Sequence, residues 1–151
     1  MGGGYDDTDE ATGSNLTIVN LDNLGKINKV IPLNNITNNN ITNSAPSTPL
    51  VLTPDTVGDS NIYRGALVYL NDLEGKITKI NLTNSTKGYA ANSDSFADGV
   101  TELYDQTTLF RLDATEANGR FSFFSMDAGI GVSDGGFWLF GSTGNFTDLG
   151  N

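Results

Sequence analysis

The sequence predicts an all-β fold, and three observations carry that prediction. No window repeats apolar residues at the helical spacing i, i+3, i+4, i+7 for more than a turn or two. The chain holds 18 glycines in 151 residues and is rich in asparagine, which is the composition of a chain that turns often. Above all, one hairpin is written twice. Residues 62–83, IYRGALVYLNDLEGKITKINLT, place a short apolar run before Asp72-Leu-Glu-Gly75 and an alternating Lys-Ile-Thr-Lys-Ile-Asn-Leu after it. Residues 16–33, LTIVNLDNLGKINKVIPL, set Asp22, Gly25, Lys26, Ile27, Lys29 and Val30 against Asp72, Gly75, Lys76, Ile77, Lys79 and Ile80, all at one offset of 50 residues. A hairpin recurring every 40–50 residues or so has the period of β-propeller blades. The expected architecture is therefore a partial β-propeller of about three antiparallel blades with long polar loops. It occupies residues 1–151 as one region and reads as a fragment of a larger protein.

In chain order, residues 2–14 form an acidic, Gly-rich loop carrying Asp6, Asp7, Asp9 and Glu10. Strands at about 15–20 and 26–32 make the first hairpin, which ends at Pro32 because proline donates nothing to a sheet ladder. Residues 34–54 are rich in Asn, Thr, Ser and Pro and read as a solvated excursion. The second hairpin, about 65–83, follows, with Gly75 supplying the positive φ that its turn requires. Residues 81–100 are polar again. A third strand pair is expected at 108–112 and 120–124, joined through Asn118-Gly119, and a last strand at 137–140 after Asp134-Gly135-Gly136.

Side-chain roles follow from these placements. Asp22, Gly25, Asp72 and Gly75 read as turn formers. Lys26, Lys29, Lys76 and Lys79 read as solvent-facing positions that blunt a sheet edge. Phe110, Phe121, Phe123 and Phe124 are expected to fill the core between blades, and Trp138 is expected in the core as well.

Composition narrows the function. With a net charge of −10 and a pI near 4.1, the chain lacks the basic footprint that a nucleic-acid partner needs. It contains neither Cys nor His, which removes disulfides, thiolate and imidazole metal sites, Cys–His pairs and the Ser–His–Asp triad. No run of 18 apolar residues exists to span a bilayer as a helix. Catalysis by a carboxylate pair is left open, since two acids from distant loops can meet in space.

The order of these motifs resembles the C-terminal β-propeller of the PilC/PilY family, the type IV pilus tip-associated adhesins and biogenesis factors. The matching stretches are Gly-Gly-Gly-Tyr-Asp at residues 2–6, the hairpin at 69–82, Arg-Phe-Ser-Phe-Phe at 120–124 and Phe-Gly-Ser-Thr-Gly at 140–144. Leu70-Asn71 departs from the family pattern, which has glycine just before Asp72-Leu73. The resemblance implies a non-enzymatic pilus-tip adhesin or pilus-biogenesis propeller displayed at the bacterial cell surface. Its partners would be the rest of the parent propeller and minor pilins or a host surface. It also implies a calcium loop ahead of the second hairpin, where Asp55, Asp59 and Asn61 are the residues that would hold the ion and Gly58 would bend the chain. Val57 stands where another acid is expected, and the closing bidentate carboxylate is missing, so the loop also fits one that keeps the turn without the ion. Two other readings are a fragment of a quinoprotein-type propeller enzyme and a generic surface-exposed β binding domain. The first lacks the tryptophan that follows the blade turn in that group, Ile27 and Ile77 standing there instead.

Overall fold

A computed structural model describes residues 13–33, 44–53, 66–82, 103–115, 117–131, 133 and 135–144. These residues contain eight strands and no helix: β1 (Asn15–Asn20), β2 (Lys26–Pro32), β3 (Leu50–Leu52), β4 (Leu67–Asn71), β5 (Ile77–Asn81), β6 (Gln106–Phe110), β7 (Asp127–Ile130) and β8 (Phe137–Phe140). They form three antiparallel sheets. β1 pairs with β2, β3 to β6 make a four-stranded meander in chain order, and β7 pairs with β8. The all-β expectation holds.

The middle sheet lies between the other two. Side chains alternate across a strand, so β4 presents Val68 and Leu70 to one side and Tyr69 and Asn71 to the other. Val68, Leu70 and Ile80 pack with Leu16, Ile31, Leu33 and Ala45 in the main core, which joins the first sheet to the middle one. On the opposite face, the Tyr69 ring lies 5.9 Å from that of Phe137 in β8. Residues 68–71 and 78–81 are accordingly buried on both faces of the pleat. Leu70 and Ile80 are fully enclosed, each contributing about 1.5–3 kcal/mol of burial. The first sheet is tied down further by Gln106, whose Nε2 donates to the Pro32 carbonyl at 2.9 Å, and by Lys29, whose Nζ lies 5.5 Å above the Tyr104 ring.

Both repeated hairpins form, and Gly25 and Gly75 adopt φ of 74° and 77°. Their first strands differ. Both ladders close around five residues, at Asn20↔Lys26 and Asn71↔Ile77, but within the second Asp72 N also donates to Lys76 O, whereas in the first Gly25 N donates to Asn20 O. A bulge lies between Ile18 and Val19 in the first hairpin. Asn20, and not Asp22, therefore stands at the mouth of the first turn: its carbonyl accepts from Gly25 N at 3.1 Å and its Oδ1 from Asn23 N at 3.2 Å.

Several expectations are corrected. The 34–54 stretch is not wholly a solvated loop, because it contains β3 and the buried Ser44, Ala45 and Ser47. The strand expected at 108–112 is β6, and it pairs with β5. Residues 120–124 form no strand and instead cross the tip of the second hairpin. The partner of the last strand is β7, whose Asp-Ala-Gly-Ile sequence shows no apolar alternation. Lys76 and Lys79 are buried, unlike Lys26 and Lys29. Of the four phenylalanines, Phe121 is buried and Phe123 packs against it, while Phe110 and Phe124 are 56% and 62% exposed. Trp138 is 52% exposed and is not a core residue.

Candidate functional site

The tip of the second hairpin, residues 71–76, is where separate parts of the chain meet. Asp72 builds the turn: its Oδ1 accepts from Lys76 N at 2.8 Å and its carbonyl from Gly75 N at 3.0 Å. A turn of this shape normally sits in solvent, yet here every residue of it is buried. Backbone hydrogen bonds explain how. Leu73 N donates to Ser44 O, Ser122 N to Leu73 O, Ala114 N to Glu74 O and Leu112 N to Gly75 O. Three segments thus close over the tip, and Leu73, Ala114 and Phe121 form a second small core there.

Asn71 links two of these segments through its side chain. Ser47 Oγ donates to Asn71 Oδ1 at 2.8 Å, and Asn71 Nδ2 donates to Ser122 Oγ at 2.7 Å and to the Phe124 carbonyl at 3.2 Å. Ser122 Oγ passes the chain of bonds on to the Ser142 carbonyl at 3.3 Å. With Asn71 only 2% exposed, each of these bonds replaces a hydration that burial removes.

The tip also encloses charge. Asp72, Glu74 and Lys76 are 1%, 4% and 2% exposed, and Lys76 Nζ lies 3.4 Å from Asp72 Oδ2. Burial pushes the Asp72 carboxyl up to about 6, and neighbouring Glu74 adds to the rise, against the opposing pull of the Lys76 ammonium and backbone N–H. Desolvation outweighs the ion pair. Neither Asp72 nor Glu74 lines either of the two clefts between the middle and last sheets. One cleft, about 370 Å³, runs past Asn71, Gly75, Ile77, Met126 and Leu139. The other, about 770 Å³, is bounded by Leu52, Leu67, Tyr69, Ile130 and Phe137. Both are predominantly apolar, and neither brings two carboxylates into the acid/base arrangement of a glycosidase.

The turn-forming roles expected of Gly25, Asp72 and Gly75 are what the structure shows. Asp22 is exposed. Asp55, Asp59 and Asn61 lie outside the described residues, among which no three metal-ligating side chains come together. No local pattern in the sequence singles out Ser47 or Ser122. The available signal was Asn71 itself, a polar residue at the end of an apolar strand and the position that departs from the resembled hairpin pattern. Comparison with family models, characterised proteins and solved structures gives no match.

Proposed function

We propose that this chain is a sector of the β-propeller of a type IV pilus tip-associated adhesin or pilus-biogenesis protein, working by binding and assembly without catalysis. The ordered motifs at 2–6, 69–82, 120–124 and 140–144 supply the pilus part of this reading. The observation that carries the propeller part is the stacking of three antiparallel sheets face to face. The middle one is a four-stranded meander in chain order, which is the form of a propeller blade. The buried, hydrogen-bonded tip suits a structural role, since its backbone and Asn71 hold the neighbouring segments and its charged groups line neither cleft. In this reading the partners are the rest of the parent propeller and minor pilins or a host surface, and the protein acts at the bacterial cell surface.

The test is an in-frame deletion of codons 13–144 in the source cell, followed by measurement of sheared surface pilin and adherence. The expected result is loss of surface pili or of adherence, with the cellular pilin level unchanged. Normal piliation together with normal adherence would overturn the assignment.

A further inference from the structure

The charged groups enclosed at the tip of the second hairpin have the make-up of a bond-forming site. A lysine amine is a nucleophile once it is desolvated, and burial takes away the hydration that keeps an ammonium and a carboxylate charged. Lys76 Nζ lies 3.4 Å from Asp72 Oδ2, both side chains are enclosed, and Oδ2 accepts no hydrogen bond. The other oxygen is held differently, Oδ1 accepting from Lys76 N at 2.8 Å. The two oxygens are thus already distinguished. One faces the amine, and the other carries a backbone N–H placed to stabilise the oxyanion that forms when Cγ is attacked.

The surroundings favour the same chemistry. Burial raises the Asp72 carboxyl towards its neutral form, and Glu74, enclosed in the same turn, adds to the rise. Leu73, Ala114 and Phe121 pack beside the turn, and Leu112 covers Gly75.

We propose that Lys76 Nζ and Asp72 Cγ join as an amide in the folded chain, with Glu74 carrying the proton. One proton first passes from the ammonium to Oδ2, which leaves an amine and a neutral carboxyl. The Nζ lone pair then adds to Cγ. Glu74 takes one proton from Nζ and returns it to the Oδ2 hydroxyl, which departs as water when the Cγ–Oδ2 bond breaks. The amide keeps Oδ1 and its hydrogen bond from Lys76 N. No oxidant or further reactant is required, and one neutral group replaces two buried charges, which removes their desolvation cost.

The first hairpin is a control within the same chain. Asp22 and Lys26 have the spacing of Asp72 and Lys76, but both are exposed and Leu24 stands in place of the glutamate. That pair should stay unlinked. The inference rests on the tip alone and not on the pilus assignment. Asp72 titrates only before the bond forms, so a pH dependence of its carboxyl belongs to the unlinked chain.

The intact mass of the purified chain, measured after unfolding, tests the proposal. The expected result is a mass one water below that of the sequence. Trypsin locates the loss: cleavage after Lys26 should be complete and cleavage after Lys76 absent. Residues 65–79 should then appear as one peptide, one water light, whose fragments join Asp72 to Lys76. This placement distinguishes the amide from a succinimide at Asp98-Gly99 or Asp134-Gly135, which also costs one water. Lys76→Arg and Glu74→Gln should keep the full mass, with far-ultraviolet dichroism checking that they fold; where one does not, the wild-type mass and peptide decide alone. A wild type of full mass, or one that has lost its water elsewhere, would overturn the proposal. So would a folded Lys76→Arg or Glu74→Gln variant that still loses water from residues 65–79.

Discussion

A Cβ placed on Gly75 would sit 2.6 Å from Cδ1 of Leu112, closer than two carbon atoms tolerate. Gly25, at the same place after its turn and with the same sign of φ, has nothing within 4 Å of the equivalent point. The same residue thus answers two demands at one site and one demand at the other. Gly25→Ala meets only the backbone penalty, about 1–2 kcal/mol. Gly75→Ala adds overpacking against Leu112, about 1–3 kcal/mol more. Urea unfolding of both variants should place Gly75→Ala clearly below Gly25→Ala. Equal midpoints would show that Leu112 does not close over the tip.

Asp72 makes stability depend on pH with a definite sign. Its folded-state pKa of about 6 lies above the ordinary value of 3.8, so the folded chain binds this proton more tightly than the unfolded chain. Ionising it therefore costs stability. The cost develops as pH rises from about 4 and is complete somewhat above 6, reaching about 3 kcal/mol at about 1.4 kcal/mol per pKa unit. Asp72→Asn removes this dependence. The stability of the variant relative to wild type should improve by about that amount between pH 4 and pH 7.5, measured by urea unfolding at both. A constant difference would place Asp72 in water.

Much of the fold was legible in the sequence where local chemistry decides it. The glycine turns, the alternation after Gly75 and Pro32 at the end of β2 are local signals, and the strands they predict are present within one or two residues. What the sequence hid is non-local. Residues 120–124 read as a strand, yet Phe121, Phe123 and Ser122 serve the hairpin tip, whose burial no single window records. Lys76 and Lys79 read locally as solvent-facing cations, and only the segments closing over the tip and the layers beside β5 bury them. Gly129 in β7 leaves no apolar pattern to read, because its neighbours across the sheet provide the apolar surface.

Removing the Asn71 side chain should release the segment it holds. Asn71→Ala removes the side-chain bonds to Ser47, Ser122 and the Phe124 carbonyl while leaving Ser47 the residue-71 carbonyl and Ser122 the Ser142 carbonyl, a loss of about 1–2 kcal/mol. Limited trypsin digestion reads the local consequence, because Arg120 lies two residues before Ser122. Cleavage after Arg120 should be several-fold faster in the variant under native conditions. Unchanged cleavage there would mean that the backbone bond from Ser122 N to Leu73 O holds the segment unaided.

Calcium is tested on the intact chain by following its melting temperature at millimolar calcium, in wild type and in Asp59→Ala. A loop lacking the closing carboxylate should give no calcium-dependent rise in either protein. A rise in wild type that Asp59→Ala abolishes would identify a working site.

The central claim is that β4–β5 forms the middle layer of three, with different partners on its two faces. Nuclear Overhauser contacts from adjacent residues of β4 test it most directly, because neighbouring side chains point to opposite sides. The account predicts contacts from the Tyr69 ring to Phe137, and from the Val68 or Leu70 methyls to Leu16 or Ile31, in the same sample. Absence of either set, or contacts from Val68 to Phe137, would contradict the stack.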